Sequence, residues 1–189
     1  MKSISGAIIA GGKSTRMGVD KATIKLNQET FLQKAVTLIS HFSDEIFISS
    51  NTNFSNIDIP IVKDFYKNIG PIAGLYSILK VIPTQKVLLI PVDTPLLTKD
   101  VIQYLLANYD KKKQISICKT DDGLQMLVGI FDKSILPLLK DQINKEDYKL
   151  SNLLEKASIQ IINVEKFKDQ FVNINTQADL KKLNNQNKK

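Results

Sequence analysis

The stretch AIIAGGKSTRMGVDK, residues 7–21, decides how the rest of the chain is read. An apolar run, SGAIIA at residues 5–10, reads as a buried strand and ends on the adjacent glycines Gly11 and Gly12. Two glycines let the backbone turn so that its N–H groups can approach an anion closely. Lys13, Arg16 and Lys21 follow at once, with Met17-Gly18 keeping the loop tight. Three cations around exposed amides suit more negative charge than one phosphate carries; a triphosphate fits.

Two familiar phosphate loops are excluded. A Walker A loop needs G-x-x-x-x-G-K-[ST]. Gly12-Lys13-Ser14 supplies its end, but the first glycine position is Ala7, and residues 7–10 belong to the strand rather than to a loop. The dinucleotide fingerprint G-x-G-x-x-G also fails, because Gly11 and Gly12 are adjacent and no glycine follows three residues later.

Beyond this stretch, strand-like and helix-like segments alternate. Thr30 can cap a helix whose apolar face is Phe31, Leu32, Ala35, Val36 and Ile39. Strands are expected at 45–49, 60–64 and 86–93, and helices at 72–82 and 98–109. Further on, ISIC, LQMLVGIFD, IQIINV (159–164) and FVNI (171–174) read as strands. Helices are expected near 133–142 and 148–157, with a last one after Thr176. This rhythm predicts an α/β fold: a three-layer α/β/α arrangement around a mostly parallel, Rossmann-like sheet. Near-continuous apolar strands fit burial on both faces. With no repeat and no Gly/Pro/Ser linker, residues 1–184 are expected to form one domain and 185–189 a disordered basic tail.

The chain has 189 residues and a net charge of +7, which suits anionic partners. The run Lys111-Lys112-Lys113 and the tail NNQNKK read as solvated surface. No aromatic-interleaved basic patch or recognition helix points to specific nucleic-acid binding. The single Cys118 excludes an internal disulfide and reads as core filler. His41, the single histidine, is expected at a helix end; its solitude argues against a Ser-His-Asp triad and a His-based zinc site. Met1-Lys2-Ser3 leads directly into strand-like sequence, and no apolar run reaches the ~18 residues of a membrane span. Cytoplasmic residence is expected.

AGGKSTRMGVDK resembles the signature of the molybdenum cofactor guanylyltransferases, the MobA-like branch of the Rossmann-like nucleotidyltransferases whose wider group includes the nucleotide-diphospho-sugar transferases. Three further motifs lie in the family's order. Gly70-Pro71-Ile72-Ala73-Gly74 resembles GPLAG, Pro91-Val92-Asp93-Thr94-Pro95 resembles P-x-D-x-P, and Asn173-Ile174-Asn175-Thr176 resembles N-x-N-T.

The resemblance implies transfer of GMP from GTP to the phosphate of molybdopterin, with Mg2+ as cofactor and pyrophosphate as leaving group. It implies a nucleotide site at Ile9, Ala10, Gly11, Gly12, Lys13, Lys21, Asn51, Asp64, Gly74 and Asp93. Asp93 is the implied metal ligand, Arg16, Lys21 and Asp93 the catalytic set, and Asn175 a residue on the acceptor side. Ser49 departs from the family's N-x-N, of which Asn51 keeps the second asparagine. Transient contact with cofactor-synthesis proteins or molybdoenzymes is a further implication. Cytidylyl transfer, a sugar- or alditol-phosphate nucleotidyltransferase and a non-catalytic nucleotide-binding protein remain open alternatives.

Overall fold

The computed structural model describes residues 4–11, 20–55, 57–174, 176 and 178–180. In chain order the elements are β1 (Ser5–Ile9), β2 (Lys25–Leu26), β3 (Glu29–Thr30), α1 (Phe31–Ser40), β4 (Ile46–Ser49), β5 (Ile61–Val62) and α2 (Pro71–Val81). Then come β6 (Lys86–Pro91), α3 (Lys99–Asn108), β7 (Ile115–Thr120), β8 (Gly123–Asp132), α4 (Leu136–Asn144), α5 (Leu150–Leu153) and β9 (Ile159–Asn163). The main sheet has seven strands in the order β5-β4-β1-β6-β8-β7-β9. Only β8 runs against the others, so the sheet is mostly parallel, as expected.

Strand residues alternate between two cores. Ile8, Leu88 and Ile90 face α1 and α3, packing with Phe31, Leu32, Val101 and Ile102. Ala7, Ile9, Val87 and Leu89 face the other side, packing with Ile72, Leu75, Leu139 and Ile143 of α2 and α4. Both faces are therefore covered. This is why β1 and β6 read as unbroken apolar runs, and it completes the α/β/α layering.

Local chemistry sets the helix starts. Thr30 accepts a hydrogen bond from Gln33 N–H, and the Gln33 side chain accepts one from Thr30 N–H, a capping box. At α2, Pro71 occupies the first turn and Gly70 precedes it with φ of 80°, a conformation that glycine tolerates without strain. His41 ends α1 as an exposed C-cap residue, and Cys118 is fully buried.

Two expectations need correction, and one element lies outside them. Residues 171–174 are not a strand: Glu165–Phe171 form a 3-10 helix, and Phe171 and Ile174 are buried three positions apart while Val172 is exposed. The helix expected over 148–157 contracts to α5: residues 154–156 continue only as turns, although Leu154 and Ala157 still pack against the core. The β2–β3 hairpin was not anticipated. Its strands are too short to show alternation, and its turn residues Asn27 and Gln28 adopt φ of 53° and 73°.

Among the described residues, no helix is long and apolar enough to cross a membrane.

Candidate active site

Strand register assembles the site. Ile9 lies opposite both Ser49 and Pro91, and Ser49 lies opposite Val62. Two residues further along β1, β4, β5 and β6 stand Gly11, Asn51, Asp64 and Asp93. Four residues scattered through the sequence thus leave the sheet at one level, its carboxyl edge, where open α/β sheets bind ligands.

The edge carries an ion pair. Lys21 Nζ lies 2.9 Å from Asp93 Oδ2, with side chains 19% and 26% exposed. Lys21 opens a 3-10 turn over Lys21–Thr23 that is capped by the Asp20 carboxylate, which accepts from Ala22 N–H at 3.0 Å. Ala22 is buried in the core beneath, so the turn is pinned from both sides. Asp93 is held through its backbone: its carbonyl accepts from Ile174 N–H at 2.9 Å, and the preceding Val92 N–H donates to Ile9 O at 3.0 Å.

Beside this pair opens a cleft of about 490 Å3. Ile9, Ala10, Gly11, Asn51, Asp64 and Gly74, which the resemblance named for a nucleotide site, are among its lining residues. Lys21 and Asp93 are not among its described lining residues. They meet next to it, linked through Asp20, which lines the cleft, and through the Ile9–Val92 bond. Sequence reasoning missed Ser50, Thr52 and Asn68 in the lining. Their signal was position alone: Ser50 and Thr52 follow the end of β4, and Asn68 has a φ of 63° in the loop before α2.

One side of the cleft is a hydrogen-bonded cluster. Asn51 Nδ2 donates to Asp64 Oδ2 at 2.8 Å, while Asp64 N–H donates to Asn51 Oδ1 at 3.2 Å. Ser49, the departure from the family pattern, is buried, and its hydroxyl lies 3.4 Å from Asp64 Oδ1. Gly74 has a packing role as well as a place in the lining. A Cβ there would lie 2.6 Å from Ser49 Oγ and 3.1 Å from Ile9 Cδ1, so α2 can approach the sheet only with glycine at this position.

Gly12, Lys13, Arg16 and Asn175 lie outside the described residues. Thr176 does cap the segment that follows: its N–H donates to Asp179 Oδ2 at 2.8 Å and its hydroxyl accepts from Asp179 N–H at 3.1 Å.

Comparison with known proteins agrees with this geometry. Residues 6–161 match the family described as "MobA-like NTP transferase domain". A "Probable molybdenum cofactor guanylyltransferase" of Carboxydothermus hydrogenoformans is 29% identical over 97% of this chain and 96% of its own length. A protein of the same name from Aquifex aeolicus is 30% identical over 93% of this chain and 88% of its own length. The crystal structure of the molybdopterin-guanine dinucleotide biosynthesis protein A of Archaeoglobus fulgidus superposes with a TM-score of 0.82. That likeness covers 96% of this chain and 97% of that one, and at 22% identity it is a likeness of fold. A carboxyl-edge ion pair beside a cleft, the family match over residues 6–161 and this pattern of relatives lead to one assignment: the chain belongs to the MobA-like NTP transferase domain family.

Proposed function

We propose that the protein is a molybdenum cofactor guanylyltransferase, moving the GMP portion of GTP onto the phosphate of molybdopterin and releasing pyrophosphate. The observation that carries this is the Lys21–Asp93 pair at the carboxyl edge, beside a cleft of about 490 Å3, a size suited to a nucleotide. The names of the relatives in Carboxydothermus and Aquifex support the choice of substrates.

The nucleophile in such a reaction is a phosphate oxygen, already anionic at neutral pH, so no side chain has to remove a proton from it. The obstacle is repulsion between two anions, which positioning and positive charge overcome. Lys21 supplies a cation next to the α-phosphate. Gly11 and Gly12 N–H groups, with Lys13 and Arg16, cradle the β- and γ-phosphates of the leaving group. Asp64 and Asn51 hold the nucleoside end, and Asn175 is assigned to the acceptor.

The donor set at Asp93 fits Mg2+: a hard carboxylate, partly exposed, just past the end of β6 and held through its backbone by Ile174. Among the described residues no three His, Cys, Asp or Glu side chains cluster, so a cation at Asp93 would take its remaining ligands from phosphate oxygens and water. When bound, the ion supplies charge neutralisation on the triphosphate. Residues 1–184 act as one catalytic unit in this scheme. A cytoplasmic setting and brief handover contacts with cofactor-synthesis proteins or molybdoenzymes fit it.

The test is pyrophosphate release by the purified protein with molybdopterin, Mg2+ and each nucleoside triphosphate in turn. Release with GTP alone is the expected result. Release with CTP alone would reassign the base, and release with none would remove the enzymatic assignment.

A further inference from the structure

From the two-point attachment of residues 170–174 to the loop that follows β6, we infer that Gln170 is a positioning residue. It acts through Thr98 and the loop behind it, keeping the Asp93 carboxylate where a metal-bound triphosphate needs it. This inference rests on the metal role proposed for Asp93 and names a residue away from the cleft on which that role depends.

The loop over residues 92–98 joins β6 to α3 and carries Asp93 near its start. Within it the described bonds are long. Thr94 Oγ1 donates to Pro91 O at 3.3 Å, and Leu97 N–H donates to Thr94 O at 3.3 Å. Pro95 has no N–H to add. Thr98 is the N-cap of α3, and among the described residues its hydroxyl caps no helix N–H. Left to these contacts, the loop would hold a metal ligand loosely, whereas a ligand must be kept to within about 0.5 Å.

The restraint comes from further along the chain. Thr98 N–H donates to Gln170 Oε1 at 2.9 Å, across 72 residues of sequence. Ile174 N–H donates to Asp93 O, also at 2.9 Å. The two bonds run as antiparallel rungs: the segment meets the start of the loop with its end and the end of the loop with its start. Both rungs are shorter than the bonds the loop makes within itself.

The strap is itself anchored. Phe171 and Ile174 are buried in one core with Val92, Leu97 and Val101. Just before it, the Phe167 ring packs edge-on against Tyr104 of α3 at 5.7 Å between centroids, and Lys166 Nζ lies 3.9 Å from the Tyr104 ring centre. Apolar burial is non-directional, so it places the segment without fixing the loop. The Gln170 amide adds direction: its oxygen fixes the Thr98 end, and the Ile174 N–H fixes the Asp93 end.

The test measures GTP affinity by calorimetry, once with Mg2+ and once with EDTA, in wild type, Asp93→Asn, Gln170→Leu and Gln170→Glu. The ratio of the two affinities is the gain that the metal brings. Wild type should show a gain, and Asp93→Asn should lose it. Gln170→Leu, which keeps the size and removes the acceptor, is expected to cut the gain about two- to tenfold, the range of one neutral hydrogen bond. Its affinity in EDTA should stay as in wild type, and its Thr98 amide should exchange with solvent faster. Gln170→Glu keeps an acceptor oxygen and should keep the gain. A merely structural loss would weaken GTP alike with and without metal and leave the ratio unchanged. That result, or a Gln170→Glu variant as defective as Gln170→Leu, overturns the positioning role while the guanylyltransferase reading stands. If Asp93→Asn keeps the full gain, Asp93 is not the metal ligand, and this inference falls with that assignment.

Discussion

Lys21 and Asp93 stand 72 residues apart in sequence, yet their charged groups meet at 2.9 Å on the carboxyl edge of the sheet. Both side chains are partly exposed, so the pair itself contributes at most about 1 kcal/mol to stability. Its importance lies in chemistry. Asp93→Asn is expected to fold normally, with a melting temperature within a few degrees of wild type. Pyrophosphate release from GTP should fall by a factor of about 100 or more, the scale of removing one aimed charged group. Lys21→Met should lose a similar factor. Turnover within about threefold of wild type in either variant would remove that residue from the mechanism.

Gly74→Ala should loosen the junction of α2 with the sheet. The new methyl would meet Ser49 Oγ at 2.6 Å and Ile9 Cδ1 at 3.1 Å. Overpacking of this kind costs about 1–3 kcal/mol, measurable by urea unfolding. Ser49→Gly in the same chain removes the nearest obstacle. The double variant should therefore be more stable than the sum of the two single changes allows, a positive coupling in a double-mutant cycle.

At the carboxyl end of β8, beside the start of β6 and away from the cleft-bearing edge of the sheet, Asp132 should govern part of the acid limb of stability. Burial works against its ionisation. The Lys86 ammonium at 2.8 Å, Ser134 and the Gln85 amide at 2.7 Å outweigh that, holding its carboxyl down at about 2 rather than 3.8. A carboxyl lowered in the folded state stabilises the fold above its unfolded value and loses that contribution as pH falls toward the folded one. The contribution is about 2 kcal/mol, present above pH 4 and lost between about pH 4 and 2. Asp132→Asn should lower stability at pH 7 by that order and flatten the pH dependence in this window, as read from urea midpoints. An unchanged slope between pH 4 and 2 would show that other groups carry it.

Cys118 should be silent toward thiol reagents in the native protein. It is fully buried in β7, and burial pushes its thiol up to about 12, leaving almost no thiolate at neutral pH. Reaction with Ellman's reagent is expected only at the rate of unfolding and to become complete in denaturant. Rapid labelling of the native protein would place Cys118 near an opening segment.

The sequence already contained the parallel half of the sheet, because burial on two faces writes itself into local composition. Thr30 and the apolar face that follows it announced α1 in the same way. Elements held by single or distant contacts were not legible. FVNI imitated a strand, though its burial follows Phe171 and Ile174 around a 3-10 helix end. The hairpin of β2 and β3 carried too few residues to show a period.

Among the described residues, sequence alone pointed to residue types that gather at the site: glycines, a lysine, a carboxylate after each of two strands. Tertiary structure alone decided how they meet. The register of β1, β4, β5 and β6 brings Gly11, Asn51, Asp64 and Asp93 to one level. It closes Asn51 onto Asp64 across 13 residues and Lys21 onto Asp93 across 72. The physical reason is reach: composition and periodicity report on neighbours along the chain, whereas these bonds exist only once two buried faces have fixed the strands against one another.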